Sequence, residues 1–146
     1  MDGEGKTVMS SLAFTTRPHP AWDKKIEEGL YKACEALTGL RKSLEPFTIY
    51  AESDGVFMGG ITIEQYGDIL WIDSLWVEPN FRKRGIGQEL IQQAFLYATK
   101  RNATEVQLHT FFPTAHAFFL SQDFEDVAVV PNWKYGLDCY LMRKKL

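Results

Sequence analysis

One stretch of the chain constrains its fold more than any other: an apolar strand, a basic loop with two glycines, an amphipathic helix and a second strand follow one another. The first strand, Ile69–Val77, is apolar almost throughout, which is typical of a strand covered on both faces at the centre of a sheet. The helix is predicted from apolar residues at helical spacing, namely Ile86, Leu90, Ile91, Ala94, Phe95 and Ala98. Because the second strand, Glu105–Thr110, follows this helix, the three elements predict a right-handed parallel crossover.

The other strands are predicted to be antiparallel. Three segments rich in aromatic and β-branched residues are separated by short turns and indicate a meander: 46–53, 56–65 and Ile69–Val77. A short helix and two final strands follow, at residues 115–121, 124–130 and 138–142, with the strands paired across the loop 131–136. The predicted fold is therefore an α+β domain with a mixed, mostly antiparallel central sheet, flanking helices and one parallel β-α-β crossover.

The N-terminal part of the chain carries weaker signals. Residues 1–11 show no hydrophobic period and are expected to be a flexible terminus or a vector-derived remnant. Residues 12–17 alternate weakly and predict a first strand, which the two following prolines end. A helix that ends at Gly39 comes next, and Cys34 lies among its apolar positions, so we expect Cys34 in the core.

Length and composition exclude several classes of protein. The 146 residues fit one domain, expected over residues 12–146, whose core needs no metal or disulfide. The net charge of -3 gives no general attraction to nucleic acid. No apolar stretch approaches the roughly 20 residues that span a bilayer and no secretion signal is recognisable, so a cytoplasmic protein without membrane contact is expected. The two cysteines are expected to be reduced thiols, with no metal site.

The basic loop between the central strand and its helix concentrates the chemistry. It reads Arg-Lys-Arg-Gly-Ile-Gly from Arg82 to Gly87. The first turn of a helix leaves backbone N–H groups unpaired and carries about half a positive charge, so it attracts anions. Glycines let a phosphate approach closely and adopt positive φ at little cost. The pattern therefore predicts a diphosphate site at this helix start.

A solvated surface loop is the alternative interpretation. It accounts for the basic residues but not for two glycines at a helix start, where each lowers helix propensity by roughly 1 kcal/mol. A P-loop would require four residues between its glycines, then Lys and Ser or Thr, and a dinucleotide fold would require a third glycine and a later acidic residue. Neither pattern is present, and the overall acidity disfavours nucleic acid as the ligand.

The segment 71–93 closely resembles the GNAT superfamily of N-acetyltransferases. The family pattern is Arg or Gln, two residues, Gly, one residue, and Gly or Ala, which Arg82, Gly85 and Gly87 match. The order of strands and helices is also similar to that family over residues 12–146. The resemblance implies acetyl-CoA as cofactor and acetyl donor. It implies that a pantetheine arm binds the backbone of Leu75, Trp76 and Val77, and that a pyrophosphate binds the loop and first helical turn: Arg82, Lys83, Arg84, Gly85, Ile86, Gly87 and Gln88.

The late helix departs from the family pattern. GNAT members often carry Tyr there, whose hydroxyl returns a proton to the leaving thiolate, but Phe119 occupies that position here and Asp123 replaces a usual Gly. His116 is a candidate replacement acid, with a surface or hydrogen-bonding role as the alternative. Tyr135 and Tyr140, in or near the final hairpin, are further candidates. Water can also supply the proton, so no dedicated acid is required.

Asp73 is the candidate base because it interrupts an apolar run. A buried, unpaired carboxylate is costly, so its presence indicates a purpose, and burial would make it a better proton acceptor for an ammonium substrate. An Asp paired with a neighbouring strand or capping a helix is an equally good interpretation. His109, at the end of the strand after the crossover, leaves the same two interpretations open. Trp133 and Tyr135 are predicted either to border the acceptor pocket or to pack within the hairpin.

These features predict an acetyl-CoA-dependent N-acetyltransferase that moves the acetyl group to a primary amine by direct attack in a ternary complex. A covalent intermediate on Cys139 is poorly supported because nothing nearby in sequence would activate its thiol. Because the usual Tyr is absent, a noncatalytic acyl-CoA binding or sensing module is the alternative. The sequence leaves the acceptor open between small-molecule and protein or peptide amines, and it is compatible with a homodimer.

Overall fold

The computed structural model describes residues 12–40 and 46–146, and the chain divides into two compact units after Gly39. The first unit contains helix α1, Pro20–Thr38, which begins at a proline and ends where Gly39 adopts a left-handed conformation with φ 71°. The predicted flexible terminus lies outside the described residues. The single domain expected over residues 12–146 stays a prediction.

Two expectations for the first unit are wrong. Residues 12–17 form no strand, because a strand exists only by pairing and this segment pairs with none of the strands described. No residue of α1 is buried, since the described part of its unit contains no second element for α1 to pack against. Cys34 is exposed and is therefore not a core residue.

The described part of the second unit contains six strands, two helices and a 3-10 turn. The strands are β1 Phe47–Ser53, β2 Val56–Tyr66, β3 Ile69–Val77, β4 Glu105–Thr110, β5 Glu125–Lys134 and β6 Leu137–Lys145. The 3-10 turn is Pro79–Phe81, and the helices are α2 Ile86–Lys100 and α3 Pro113–Ser121. The strands form one sheet in the order β1-β2-β3-β4-β6-β5. All neighbours are antiparallel except β3 and β4, which confirms the predicted mixed sheet with one parallel crossover.

The core lies between the sheet and α2, which packs on β1, β2 and β3. The helix buries residues at helical spacing: Leu90, Ile91, Ala94 and Ala98. On β2, Ile61 and Ile63 alternate with more exposed neighbours, as expected for a strand with one covered face. Leu70 and Ile72 continue this buried row on β3. Trp71 lies between them in sequence, so it points to the opposite face of the sheet.

A bulge in β3 separates it from β4. Ser74 pairs with Thr62, but the next pair is Ile72 with Ile63, so Asp73 is an extra residue without a partner across the ladder. On its other side, β3 pairs with β4 only over Ile69 to Trp71. The two parallel strands therefore diverge beyond Trp71. Asp73 is exposed, so the expected buried carboxylate is wrong; the bulge removes it from the regular, buried part of the strand.

The last two strands extend further than predicted. They meet at the two-residue turn Tyr135-Gly136, where both φ angles are positive, 53° and 73°, as in the tight turns that join antiparallel strands. Asn132, with φ 52°, donates its backbone N–H to the carboxylate of Asp138 over 2.9 Å. The predicted loop 131–136 is therefore largely an irregular part of β5.

In the described part of the chain, no helix is both long enough and apolar enough to cross a lipid bilayer.

Close packing of β2 on β3 yields a stability prediction. A Cβ added to Gly59 would lie 2.5 Å from the carbonyl oxygen of Trp76, so Gly59→Ala must push two paired strands apart. We expect it to lower the free energy of unfolding by about 1–3 kcal/mol in urea denaturation. Gly29→Ala is the control, because a Cβ there meets nothing within 4 Å, and it should raise stability by about 0.4–1 kcal/mol or leave it unchanged. Equal urea midpoints for Gly59→Ala and wild type would contradict the packing described.

Candidate functional site

The loop between β3 and α2 adopts left-handed backbone at two positions, Lys83 with φ 61° and Gly85 with φ 81°. Gly85 is the N-cap of α2. A Cβ at Gly85 would meet nothing within 4 Å, so this position needs glycine for its backbone conformation and not for space. Lys83 has no such freedom, and a non-glycine residue held in this region is a pointer to function.

The start of α2 presents backbone N–H groups without helical partners. The first hydrogen bond of the helix runs from the N–H of Glu89 to the carbonyl of Gly85, over 3.0 Å. The N–H groups of Ile86, Gly87 and Gln88 precede it and therefore donate to no partner within the helix. Together with the helix dipole they form a site for an anion.

Gly87 allows helix α3 to approach this helix start. A Cβ at Gly87 would lie 3.3 Å from the ring carbon Cζ of Phe118 and 3.7 Å from a methyl group of Val77. The first contact is tighter than ordinary van der Waals distance. Any side chain at this position would therefore press on Phe118 and fill the space between the two helices.

The basic side chains of the loop differ in what they contact. Arg82 donates its Nε–H to the carbonyl of Val77 over 2.8 Å, and its guanidinium lies 4.7 Å from the ring centre of Trp76. These contacts fix Arg82 at the end of β3. The guanidinium of Arg84 lies 5.5 Å from the ring centre of Phe81. Arg84 thus packs on the 3-10 turn.

A groove with a volume of about 670 Å³ runs along these elements. We call it the helix-start groove. All of the predicted cofactor-binding residues except Arg84 line it: Leu75, Trp76, Val77, Arg82, Lys83, Gly85, Ile86, Gly87 and Gln88. Its opposite wall comes from α3 and includes Ala115, Phe118 and Phe119. The sequence does not predict this wall, because an aromatic run in a short helix is equally typical of core packing.

A second cavity, of about 240 Å³, lies where β3 and β4 diverge. We call it the strand cleft. Asp73 and Ser74 of the bulge line one side, and His109, Thr110 and Phe111 line the other. The carboxylate of Asp73 makes no hydrogen bond or ion pair with any residue that the structure describes. It is also the only charged side chain among the described residues that line the cleft.

The two cavities share a wall. Leu75, Phe112, Ala115 and Phe119 line both of them. Phe119 is buried, with 4% of its surface exposed. A ligand in the helix-start groove can therefore meet a second ligand in the strand cleft beside Phe119, and none of the four shared residues carries a hydroxyl group.

Aromatic rings border the strand cleft. The ring centre of His109 lies 5.4 Å from the ring centre of Trp71 and 5.8 Å from that of Trp133. Phe111 lies 5.4 Å from Trp133 and 6.3 Å from Tyr135. We call these five residues the aromatic cluster. Tyr135 reaches the cleft only through Phe111, since it lines neither cavity.

His116 lies away from both cavities. Its Nε2 is 2.9 Å and 3.0 Å from the two carboxylate oxygens of Asp126, and its ring stacks on Tyr140 with centres 3.6 Å apart. It lines neither the helix-start groove nor the strand cleft. The structure therefore brings Asp73 and Phe119 together at the cleft but places His116 and Tyr140 elsewhere.

Cys139 is buried, with 6% of its surface exposed. Burial raises the pKa of its thiol, and the positive charge of Lys134 opposes this rise in part. The reactive thiolate form is therefore disfavoured. Among the described residues, no three His, Cys, Asp or Glu side chains converge in a way that could hold a metal ion.

Residues 12–124 match the sequence model of the acetyltransferase (GNAT) family. The chain belongs to this family. One curated relative, an uncharacterized N-acetyltransferase of Methanocaldococcus jannaschii, is 37% identical over 68 residues, which is 45% of this chain. The aligned part is 30% of that relative's length.

Solved structures of GNAT and other acetyltransferases share the fold. An acetyltransferase from Bacillus cereus aligns with a TM-score of 0.81 and 20% identity, covering 92% of this chain and 98% of its own. The ribosomal-protein-S18-alanine N-acetyltransferase of Escherichia coli aligns with a TM-score of 0.64 and 16% identity over 70% of each chain. An aminoglycoside 6′-N-acetyltransferase, solved with coenzyme A, aligns with a TM-score of 0.61 and 20% identity. The alignment covers 69% of this chain and 73% of that one. Their named acceptors differ, so the fold does not determine the acceptor.

The glycine at the second position of α2 gives a binding prediction. Gly87→Glu places a carboxylate against Phe118 and beside the unpaired N–H groups, so it blocks and repels a diphosphate. At a coenzyme A concentration of about 100 times Kd, the wild type should gain about 2.7 kcal/mol of stability, and the variant should gain none. Thermal melts with and without coenzyme A measure this difference. Gly29→Glu adds the same charge in open space and should keep the full gain; an undiminished gain in Gly87→Glu would exclude the assigned anion site.

Proposed function

We propose that the chain is an acetyl-CoA-dependent N-acetyltransferase that moves an acetyl group to a primary amine by direct attack in a ternary complex. The observation that carries the proposal is that the helix-start groove and the strand cleft share a wall at Leu75 and Phe119. A thioester held in the groove and an amine held in the cleft would meet at this wall. Membership of the acetyltransferase (GNAT) family supports this interpretation.

The helix-start groove suits two parts of acetyl-CoA, its pyrophosphate and its pantetheine arm. The N–H groups of Ile86, Gly87 and Gln88 would hold its pyrophosphate, with the charges of Arg82 and Lys83 nearby. Beyond Trp71, β3 has no pairing with β4, so backbone groups on that side of the strand are open to the amides of the pantetheine arm, which would add as a short strand. Acetyl-CoA carries its acetyl group as a thioester, and this acetyl group is what it supplies.

The strand cleft contains the groups that an amine acceptor requires. The unpaired carboxylate of Asp73 attracts an ammonium group. An imidazole is a base suited to neutral pH, so His109, on the facing strand, can accept the ammonium proton directly or through water. The amine nitrogen then attacks the thioester carbon, the carbon–sulfur bond breaks, coenzyme A leaves as the thiolate, and the nitrogen gives its second proton to water. Asp73 thus serves mainly to bind the ammonium, and His109 joins it as a second catalytic candidate.

The proton for the leaving thiolate comes from water in this proposal. Phe119 has no hydroxyl to donate, and His116 is held by Asp126 outside both cavities. Tyr135 remains a candidate donor, because its ring contacts Phe111, which lines the cleft. A covalent route through Cys139 is disfavoured, since its thiol is buried and its pKa is raised.

Release of free coenzyme A, followed with a thiol reagent across a panel of amines, tests the proposed function. Time-dependent release that needs both acetyl-CoA and an amine supports an enzyme. The noncatalytic alternative, which the missing hydroxyl at Phe119 favours, predicts stoichiometric acetyl-CoA binding without release for every amine. Mass spectrometry of the product should show one acetyl group on nitrogen.

The two cleft residues should affect different kinetic constants. We expect Asp73→Asn to raise KM for the amine, and His109→Gln to lower kcat by roughly 100-fold, as loss of a general base does. His109→Gln should also remove the acidic limb of the kcat profile against pH. Dissociation constants for acetyl-CoA should stay unchanged in both variants. An unaltered pH profile in His109→Gln would exclude His109 as the base.

Alkylation distinguishes direct attack from a covalent route. Iodoacetamide should modify exposed Cys34 and spare Cys139 in the native protein, because burial and a raised pKa suppress the thiolate. The alkylated protein and Cys139→Ala should both keep wild-type turnover. Peptide mass mapping and coenzyme A release measure the two effects. Acetylated Cys139 trapped in the absence of an amine would overturn direct attack.

A further inference from the structure

The aromatic cluster forms from separate parts of the chain. Trp71 comes from β3, His109 from the end of β4, and Phe111 from the residues just after it. Trp133 lies in the irregular part of β5, and Tyr135 in the turn that follows it. Ring centres between 5.4 and 6.3 Å are in the range of attractive aromatic pairs. Several elements thus bring flat rings together beside His109 and Phe111, the two members of the cluster that line the strand cleft.

Ordinary hairpin packing does not account for Tyr135. Its side chain is 89% exposed, so it adds little to the core. Its φ of 53° is unusual for a bulky residue, because turns of this kind favour Asn, Asp or Gly. An exposed aromatic ring held in a strained turn next to Phe111 is better explained by contact with a ligand.

The charges around the cleft select for a single cation. Asp73 is unpaired and is the one charged side chain among the described residues lining the cleft. Aromatic faces also attract cations. However, the ammonium of Lys134 already lies 4.2 Å from the ring centre of Trp133, so the outer part of the cluster carries positive charge. Glu64, opposite Trp71 in the ladder, does not line the cleft. A ligand with several positive charges would therefore meet repulsion at Lys134 and only one carboxylate.

The size of the strand cleft limits the ligand further. Its volume of about 240 Å³ lies below the roughly 300–1,000 Å³ that is usual for a drug-sized ligand. A single ring with a short aminoalkyl chain suits this space, whereas an aminoglycoside or a folded protein segment exceeds it.

We infer that the acceptor is a small primary monoamine bearing an aromatic ring, bound with its ring against Phe111, Trp133 and Tyr135 and its ammonium on Asp73. This inference rests on the proposed function. It assigns the substrate class from the rings, the single carboxylate and the position of Lys134 together.

Two measurements test it. The first is kcat/KM from coenzyme A release with 2-phenylethylamine, 2-cyclohexylethylamine, ethanolamine and spermidine. The cyclohexyl compound matches the phenyl compound in size but has no π-system. We expect kcat/KM for 2-phenylethylamine to exceed that for 2-cyclohexylethylamine by roughly 3–10-fold, which corresponds to the energy of one aromatic pair. It should exceed kcat/KM for ethanolamine and spermidine by more.

The second measurement needs no turnover. Titration of the protein with 2-phenylethylamine in the presence of coenzyme A should change the intrinsic tryptophan fluorescence, and Trp133→Leu should remove most of this change. Tyr135→Asn is a second variant for the case that Trp133→Leu does not fold. Asn is favoured at the positive φ of this turn, so we expect Tyr135→Asn to keep the fold. Both variants should lower kcat/KM for 2-phenylethylamine at least roughly threefold more than they lower kcat/KM for ethanolamine. Tyr50→Leu, an exposed aromatic on β1 that does not line the cleft, should change neither value.

The outcomes separate the inference from the function. Acetylation of amines with spermidine preferred, with equal rates for the phenyl and cyclohexyl compounds, or with no effect of Tyr135→Asn overturns the inference and leaves the N-acetyltransferase function in place. Binding of 2-phenylethylamine that is lost in Trp133→Leu, without coenzyme A release for any amine, supports the aromatic site and overturns the proposed function. Absence of both binding and release overturns both.

Discussion

The site depends on how little of β3 pairs with β4. Parallel strands that pair along their whole length leave no room between them, but these two share only the stretch from Ile69 to Trp71. The bulge at Asp73 bends β3 where the pairing stops. One irregularity therefore opens the strand cleft, places Asp73 in it, and leaves the backbone from Leu75 onward open toward the helix-start groove. The candidate site at this sheet therefore arises from an irregularity in its ladder.

The close approach of two helices completes the site. Gly87 lacks a Cβ, so Phe118 of α3 comes within contact distance of the first turn of α2. This contact sets α3 across the gap that the strands leave and brings Phe119 between the two cavities. The glycine thus has two effects: it exposes backbone N–H groups to an anion, and it fixes the wall where two bound molecules would meet. A residue with a side chain at this position would disturb both.

Local signals predicted most of the fold, while the acceptor side depended on tertiary geometry. The crossover and the basic loop follow from periodicity and glycine placement, which neighbouring residues determine. Asp73 was expected to be buried because an apolar run surrounds it, but a bulge arises from pairing with β2 and has no signature in one strand. Cys34 has helical spacing typical of core, and spacing does not tell whether a helix finds a partner. His109 and Phe111 join the site only because β3 and β4 diverge.

The chemistry at the shared wall explains why selectivity should lie on the acceptor side. A thiolate is a good leaving group and can take its proton from water. Release of coenzyme A therefore does not require a hydroxyl group at the position of Phe119. An ammonium group, in contrast, is not nucleophilic until it loses a proton, and it must be held beside the thioester while it does so. Asp73 of β3 and His109 of β4 both line the cleft, and the proposed function assigns these two tasks to them. The faces of the rings beside them also attract cations, so they add to the attraction of the carboxylate for the ammonium group. The aromatic cluster therefore contributes to the same step that the carboxylate and imidazole perform.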